Sequence, residues 1–541
     1  MAVALASLMA VLTRPTGPGG ADPLGSSTAE RPWLWTIALA AVAANVVSSL
    51  QPLASARTAA LWCAYAFLFL FCRGLLARDA GKDAWPPGGI IAAAVITAGT
   101  GLAAHGLYQC LFGFDRLALL AGPEASEALR ARIASGRAMA TLGLPGALAG
   151  FLALSIPLTF GWASRPGGRG PERALAWLLA GIQAAGLVAT RSAAGILCVT
   201  LAGGLAAWWN LREDRRGTAR AVAVVLIAAG LAGAAGLMAL RWSARTSSDE
   251  GQGPFALRLG NWNVALAIFA EHPVLGAGVG CYGIAFPRHR TWEMNESRFA
   301  HNSYLQILAE GGMVPGAAAA ILAGALALRL RRFAAARDDW MAPFLSAACL
   351  SFLLHNLADF TFYLPTVGFA FFGLASLACG PATPRAAGSG VPKLLVTGAA
   401  LGLAAFALMV TRADIMKEAA LRAVRADPSL AANLASDAVE RNPFDPDSRS
   451  ILSHLLLQRG MGPDGQRDLA EAEAQAVDAV DLDPQTPHHW HHLGQVRLAR
   501  RDPLGAYIAL TRAAQLYPIK IEYRRDRDAV AGALSGGTEP R

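Results

Sequence analysis

Charged residues are scarce in this sequence. Asp, Glu, Lys and Arg make up 16% of its 541 residues, whereas hydrophobic residues make up 54%. The mean hydropathy of +0.37 is too high for an ordinary soluble protein. Because about 20 apolar residues are needed to cross the hydrocarbon core of a bilayer, the long uncharged runs predict transmembrane segments. The runs are unbroken rather than alternating, so we expect helices and not the strands of a barrel.

Cysteine is also sparse, and its spacing excludes two common uses. The chain has seven Cys, most of them inside apolar runs, and no two are spaced as a CxxC pair. This pattern supports neither a zinc site nor a disulfide framework.

The net charge of +9 does not point to nucleic acid. The Arg residues cluster in short loops between apolar runs, which is the pattern of cytoplasmic loops in membrane proteins. The partner that this charge predicts is the lipid bilayer.

The apolar runs predict eleven transmembrane helices, or twelve if the N-terminal "MAVALASLMAVLT" is counted. That N-terminal segment is short and lacks a positive n-region, so we interpret it as a first helix or a start-site artefact rather than a signal peptide. The predicted spans lie near 33–53, 57–77, 88–111, 144–163, 173–190, 193–209, 219–240, 303–328, 341–360, 364–380 and 392–411.

The short basic loops predict how the chain is oriented in the membrane. Threading the spans alternately puts four such loops on one side, which is therefore expected to be the cytoplasm. These loops are 73–82, 164–173, 211–220 and 329–339. The loops at 112–143 and 241–302 then face outward.

The composition changes after about residue 412. We expect a transmembrane domain over 1–412, with 241–302 as its large outer loop, and a soluble tail over 413–541 on the outer side. Pro484 and Pro518 end two similar blocks 34 residues apart, and Pro443 precedes them with a "GMGPDGQ" insertion between. A period of 34 with Pro at the turn resembles tetratricopeptide repeats, an α-solenoid whose concave surface holds a protein partner. A plain helical cap is the alternative.

The outer loop 241–302 begins with a predicted amphipathic helix. Arg258 starts it, and the "EHP" sequence at 271–273 stops it. Its apolar residues recur at helical spacing and share one face. They are Leu259, Trp262, Leu266 and Phe269.

Two cofactor patterns in this loop are rejected. "GVGCYG" at 278–283 is a literal GxGxxG, but no βαβ unit surrounds it, so we expect only a tight turn. A second group could suggest a metal site, but its spacing fits no known ligand pattern. Its members are His289, Glu293, Glu296 and His301. We therefore expect neither a metal nor a cofactor.

Polar residues cluster at the start of the span that follows the loop. In "HNSYLQILAEGG", Asn302, Gln306 and Glu310 fall at i, i+4 and i+8 and form one stripe, with His301 at its outer end. One interpretation is structural: His and Asn cap the helix, while Gln and Glu bond to neighbouring helices. The other is a functional site, because ionisable residues inside a span are costly.

Two further segments bring polar residues to the same side. "TRSAAG" puts Arg191 in a short outer turn, and His355 and Asp359 fall at i, i+4 near the outer end of another span. Arg191 and Arg258 can therefore meet His301 at the outer membrane face. Two Arg suit an anionic substrate such as a pyrophosphate leaving group. A His can take a proton from an attacking hydroxyl.

These segments resemble the O-antigen ligase and O-antigen polymerase family of bacterial membrane glycosyltransferases. "RLGNWNVALAIFAEHPVLGAGVGCY" (258–282) and "HNSYLQILAEGGMVPG" (301–316) are similar to its two outer motifs, and "TRSAAG" (190–195) to its Arg turn. "ATLGLPGALAGFLAL" (140–154) resembles a third motif but has Leu144 and Gly146 where the family tends to have Asn.

The resemblance implies a GT-C-like helical bundle in the bacterial inner membrane. Its members transfer a glycan from undecaprenyl pyrophosphate to lipid A core, another glycan or a protein at the periplasmic face, without a nucleotide sugar or an essential metal. By position, Arg191 and Arg258 would bind the pyrophosphate and His301 would activate the acceptor, giving an inverting transfer. We expect a supporting role for six residues: Asn302, Glu310, Trp262, Gln306, His355 and Asp359.

Alternatives to a ligase remain at this stage. Within the same chemistry they are a polymerase of lipid-linked exopolysaccharide or O-antigen units, and a protein O-oligosaccharyltransferase whose repeat domain holds the acceptor. Outside the class, a transporter could line a pathway with Arg and His. A transporter is expected to show inverted repeats or paired broken helices, which this sequence lacks.

Overall fold

A computed structural model shows how the chain folds. It describes residues 43–78, 87–122, 127–165, 167–209, 224–225, 228–236, 254–292, 294–334, 340–379, 393–462 and 465–535. The N-terminal segment, the first part of the predicted span 33–53 and much of 219–240 lie outside these residues. Within them the chain forms helices joined by turns, and no β-strand occurs.

The membrane part contains thirteen labelled helices. In chain order they are α1 (Pro52–Arg78), α2 (Pro87–Tyr108), α3 (Phe114–Ala121), α4 (Glu127–Ala134), α5 (Pro145–Ala163), α6 (Gly170–Ala189), α7 (Ala193–Trp209), α8 (Pro254–Glu271), α9 (Tyr282–His289), α10 (Ser303–Gly311), α11 (Met313–Ala334), α12 (Ala342–His355) and α13 (Pro365–Ala378). One π-helical turn, Gln109–Gly113, joins α2 to α3.

Four segments in the described part of the chain are long and apolar enough to cross a membrane. They are Pro52–Arg73, Gly89–Ala121, Pro145–Ala163 and Met313–Ala334. Shorter apolar helices occupy Ala193–Leu205, Ala342–His355 and Pro365–Ala378. The protein is therefore an all-α, multi-pass membrane protein, as the sequence predicts, while the count of eleven or twelve spans stays a prediction.

Helix α5 is the centre of this bundle. It is 83% buried, whereas the other three candidate spans are at most 28% buried and present apolar side chains outward, as lipid contact requires. Pro145 begins α5 at a position where a missing N–H costs nothing. Its side chains Leu148, Leu154 and Leu158 are fully buried, so the body of α5 is packed on all sides.

The predicted single helix over 303–328 is wrong, because the chain breaks at Gly312. Helix α10 ends there with Gly312 at φ 75°, and α11 begins at Met313. The Met313 N–H leaves the helical pattern and donates to the carbonyl of Pro273, 2.8 Å away. The polar residues of α10 therefore precede the membrane-spanning helix instead of lying inside it.

Replacing Gly312 by Ala is expected to destabilise the fold by roughly 2–4 kcal/mol, from left-handed strain plus overpacking. A Cβ there would lie 2.3 Å from the carbonyl oxygen of Val274, a backbone atom that cannot rotate away. The measurement is the thermal unfolding midpoint in detergent. Gly101→Ala is the matched control, since nothing lies within 4 Å of its Cβ position. Equal midpoints for the two variants would contradict this explanation of the break.

The tail is a stack of helices in which each packs on the next. They are α14 (Lys393–Ala423), α15 (Pro428–Arg441), α16 (Pro446–Gly460), α17 (Gln466–Leu482), α18 (Pro487–Ala499), α19 (Pro503–Leu516) and α20 (Ile521–Ser535). Helix α14 runs continuously through residue 412, so it joins the two predicted domains. Small residues such as Ala431, Ala472 and Ala509 are buried between the helices and allow their close approach.

The tail also contacts the loop that precedes α10. Arg290 donates to the hydroxyl of Tyr517, which in turn donates to Glu296 at 2.9 Å. The guanidinium of Arg524 lies 5.7 Å from the ring centre of Trp292. These contacts place the loop and the tail on the same side of the bundle.

Candidate active site

His301 occupies an unusual backbone position directly before α10. Its φ is +54°, a left-handed conformation that non-glycine residues seldom adopt. Asn302 caps the helix, since its Oδ1 accepts the N–H groups of Tyr304 at 3.0 Å and Leu305 at 3.1 Å. The indole N–H of Trp262 donates to the His301 carbonyl at 3.5 Å. The cap and this indole fix the direction in which the imidazole leaves the chain.

The surroundings of His301 favour the neutral ring. Burial lowers the pKa of His301 below its ordinary 6.5; the charge of Asp359 opposes this shift and the charge of Arg258 adds to it. The ring meets Phe360 edge to face at 4.9 Å, and its Nδ1 is buried without a hydrogen-bond partner among the described residues. At neutral pH the imidazole is therefore uncharged and can accept a proton.

The segment after α12 forms the second side of this site. The Ser303 N–H donates to the carbonyls of Asn356 at 2.9 Å and Asp359 at 3.0 Å. The rings of Phe299 and Phe360 stack with their centres 4.1 Å apart. These contacts fasten the start of α10 to the residues that follow α12.

His355 and Asp359 are not on one helix, so the predicted i, i+4 relation is wrong. Helix α12 ends at His355, and the chain then turns because Asn356 directs its side chain back to the Phe352 carbonyl at 2.9 Å. The turn nevertheless keeps the pair close, and the charge of Asp359 acts on both His355 and His301. His355 is fully buried, with neither ring nitrogen hydrogen-bonded in the described part of the chain.

The N-terminal turn of α5 lies against Asp359 and explains one departure from the family motif. A Cβ at Gly146 would be 2.2 Å from Asp359 Oδ2. Any side chain here, including the Asn expected from the resemblance, would displace that carboxylate. Gly150 lies one turn later and packs against Thr361 in the same way. A Cβ at Gly150 would lie 2.7 Å from the Thr361 Cγ2 atom. The two glycines let the segment after α12 lie directly on α5.

Arg191 lies in the turn between α6 and α7, also with a left-handed backbone, φ +50°. Its guanidinium donates to the carbonyl of Ser135 at 3.2 Å. A second arginine, Arg137, donates to the Thr190 carbonyl at 2.9 Å and therefore lies at the same turn. Arg137 is not among the residues predicted for the site, because the contact joins positions 53 residues apart and no local pattern indicates it.

The structure thus groups the predicted residues in two sets. In the first set, the charges of Arg258 and Asp359 act on both His301 and His355. Arg191 belongs to a separate turn, which the N–H of Ala138 joins to the Ala189 carbonyl at 3.0 Å, and the chain runs from Ala138 directly into α5. The N-terminal turn of α5 is therefore the element that links the two sets.

The amphipathic face predicted for the loop helix is the more exposed face of α8. Leu259 and Leu266 are 40% and 47% exposed, whereas Val264 and Ile268 are buried. Helix α8 begins at Pro254, four residues before Arg258, and ends at Glu271 as expected. Apolar residues at helical spacing mark lipid contact as well as core in such proteins, so periodicity alone did not select the packed face.

Gln306 and Glu310 have every sign of a structural role. Glu310 is buried and accepts from the Tyr282 N–H at 3.2 Å, Gln306 Nε2 at 3.0 Å and the Tyr363 hydroxyl at 2.8 Å. Gln306 Oε1 accepts from the Ala300 N–H at 3.1 Å. The carboxylate is saturated with donors and ties α10 to the glycine turn and to the segment after α12.

The "GVGCYG" segment is a tight turn, as predicted. Gly278 and Gly280 have φ of +103° and +86°. A Cβ on Gly278 would lie 2.2 Å from Cβ of Ser49, and one on Gly280 would lie 2.2 Å from Oγ1 of Thr58. The two glycines allow the turn to pack closely against Ser49, just before α1, and Thr58, within α1. Of the rejected metal group, Glu293 lies outside the described residues.

Comparison with known proteins gives one family. Residues 175–321 match the family model described as O-antigen ligase, a range that holds Arg191, Arg258 and His301 but ends before His355 and Asp359. No curated protein matches the chain. Among solved structures, the first tetratricopeptide repeat domain of Spaghetti (RPAP3), bound to an HSP90 peptide, is 17% identical with a TM-score of 0.22, over 23% of this chain and 95% of that chain.

The match agrees with the resemblance carried by the loop and helix motifs, since both rest on the same stretch of the membrane part. Over residues 175–321, this chain is similar to the O-antigen ligase family.

Proposed function

We propose that this protein transfers a glycan from an undecaprenyl-pyrophosphate donor to an acceptor hydroxyl at the periplasmic face of the bacterial inner membrane. The observation that carries the proposal is the neutral, half-buried imidazole of His301, on which the charge of Arg258 acts, within the range that matches O-antigen ligases. A neutral imidazole beside a permanent cation suits proton removal next to an anionic leaving group.

The reaction needs one base and cationic stabilisation. His301 accepts the proton of the acceptor hydroxyl while the oxygen forms a bond to the anomeric carbon of the donor. The bond between that carbon and the pyrophosphate oxygen breaks, and undecaprenyl pyrophosphate leaves with the electron pair. Arg258 and Arg191 stabilise the negative charge that develops, through bidentate hydrogen bonds. Direct displacement inverts the anomeric configuration.

Asp359 and His355 act as positioning residues in this proposal. The carboxylate of Asp359 lies close enough to influence His301 and would stabilise the imidazolium formed when the proton is accepted. Trp262 and Asn302 hold the backbone on either side of the imidazole. None of these groups needs to contact the donor.

The distribution of basic loops in the sequence supports the periplasmic side for the site. The four basic loops assign the cytoplasmic side, opposite to the turn of Arg191 and the loop of His301. The contacts of Tyr517 with Arg290 and Glu296 put the tail beside that loop. In this proposal the tail holds a protein or glycan acceptor near the site, in the manner of tetratricopeptide repeats.

The test is to delete the gene in its host, complement with wild type or with His301→Ala, and examine glycans by gel electrophoresis and mass spectrometry. We expect the deletion and the variant to lose the long lipopolysaccharide ladder while lipid-linked glycan accumulates. That outcome supports a ligase.

Other outcomes identify the alternatives. Lipopolysaccharide with a single repeat unit would make the protein a polymerase, and loss of glycoproteins with an intact ladder would make it a protein O-oligosaccharyltransferase. Unchanged glycans together with lost solute uptake would overturn the proposal in favour of a transporter.

A further inference from the structure

Three side chains converge at the start of two tail helices, outside the groups assigned to glycan transfer. Asp447 is the second residue of α16, and His488 and His489 follow the first residue of α18. The Nε2 atoms of His488 and His489 lie 3.7 Å and 3.8 Å from the same oxygen, Oδ1 of Asp447. Among the described residues this group has the proximity that a metal ion requires, since its ligand atoms all lie within 4.8 Å of one another.

His489 is otherwise unexplained in this fold. Its side chain has no exposed surface, and neither ring nitrogen has a hydrogen-bond partner among the described residues. A buried polar atom left unpaired is costly, so a group of this kind in a native protein calls for a ligand. A neutral imidazole has a lone pair on one ring nitrogen that a metal ion can accept.

The geometry and the donor atoms favour one class of ligand. Tetrahedral zinc, with bonds of about 2.0–2.1 Å to nitrogen or oxygen, holds neighbouring donors about 3.4 Å apart. The observed separations of 3.7 Å and 3.8 Å exceed this by a few tenths of an ångström, which a small side-chain movement removes. Imidazole and carboxylate together suit Zn²⁺ better than Mg²⁺ or Ca²⁺, which prefer oxygen alone.

An ion can reach this position from solvent. The side chains of Asp447 and His488 are 57% and 54% exposed, while His489 closes the inner side. Asp447 and His488 also line a cavity of about 590 Å³, together with Lys417, His454 and His492. Three protein ligands would leave the fourth position of a tetrahedral ion for water.

We propose that Asp447, His488 and His489 form a Zn²⁺ site that joins α16 to α18 in the tail. The ion cross-links α16 to α18 and gives the buried imidazole of His489 a bonding partner. It thereby stiffens the part of the tail that borders the cavity. The zinc site is separate from His301 and the arginines, so its test does not depend on the proposed transfer reaction.

The experiment uses the full chain, purified in detergent without a polyhistidine tag and freed of metal with a chelator. Zinc is then titrated against a chromophoric zinc indicator, and the bound metal is counted by mass spectrometry. We expect one Zn²⁺ per chain for the wild type, and at least a tenfold loss of affinity in Asp447→Ala and in His488→Ala. Because both replaced side chains are exposed, these variants are expected to keep their helical circular dichroism.

His454→Ala is the matched control, since His454 is exposed and lines the same cavity without belonging to the triad. It is expected to bind zinc as the wild type does. Zinc is also expected to raise the thermal unfolding midpoint of the wild type but not of Asp447→Ala, because a ligand that binds only the folded state stabilises it. A wild type that binds no zinc, or an equal affinity in all three variants, would overturn the proposal.

Discussion

His301→Ala is expected to lower kcat for glycan transfer by roughly 10²–10⁴-fold, the usual contribution of a positioned general base. The methyl group cannot accept the proton of the acceptor hydroxyl, and the Asn302 cap of α10 stays in place. Turnover should be measured with a lipid-linked glycan donor and purified protein. His289→Ala is the control, because this histidine of the same loop lies 3.5 Å from Glu271 and is not among the residues of the proposed site.

The pH profile separates a base from a merely structural histidine. Since burial lowers the pKa of His301 below 6.5, the neutral form predominates at neutral pH, and the acid limb of kcat/KM should lie below pH 6.5. The charge of Asp359 raises this pKa, so Asp359→Asn should move the limb to still lower pH. Full turnover in His301→Ala would exclude His301 as the base. An acid limb of the kcat/KM profile that lies at the same pH in Asp359→Asn as in the wild type would exclude it as well.

Arg191→Lys is expected to lower kcat/KM by roughly 10²–10³-fold, although the positive charge is retained. A lysine has one compact ammonium and lacks the planar fork that binds a pyrophosphate through two parallel hydrogen bonds. A lysine also lacks the second guanidinium nitrogen, so it cannot keep the bond to the Ser135 carbonyl and bind a phosphate at the same time. The assay is the same transfer reaction, at saturating and limiting donor.

Arg169→Lys provides the comparison for this arginine. Arg169 directly precedes α6 and Arg191 lies just after it, so the two occupy opposite ends of one helix. A loss in the Arg191 variant alone supports a role at the outer face, whereas equal losses would indicate a general effect on α6. Wild-type turnover in Arg191→Lys would exclude Arg191 from pyrophosphate binding.

The class of fold was predictable from the sequence because lipid imposes a strong rule. An unbroken apolar run must become a helix in a bilayer, and Pro145–Ala163 and Pro52–Arg73 obey it. Helix breaks were harder to predict. Gly312 ends α10 through a backbone contact with Val274, which lies 38 positions earlier in the chain, and local propensity does not contain that information.

The candidate site was also predictable in part. His301 and Arg258 belong to motifs whose residue types indicate their chemistry. In the structure, the charge of Arg258 acts on His301. His355 and Asp359 were predicted to be neighbours on a helix, and they are close because a turn folds back instead. Arg137 reaches the Arg191 turn only through tertiary packing, so a single sequence gave no sign of it.

The central claim is that a glycan moves from a lipid pyrophosphate to a hydroxyl with His301 as base. The most direct measurement reconstitutes the protein in liposomes with an undecaprenyl-pyrophosphate-linked glycan and an acceptor, and determines released undecaprenyl pyrophosphate, transferred glycan and anomeric configuration together. The account predicts one undecaprenyl pyrophosphate released for each glycan transferred, inversion at the anomeric carbon, and almost no product with His301→Ala. Transfer with retained configuration, or equal product from the variant, would contradict it.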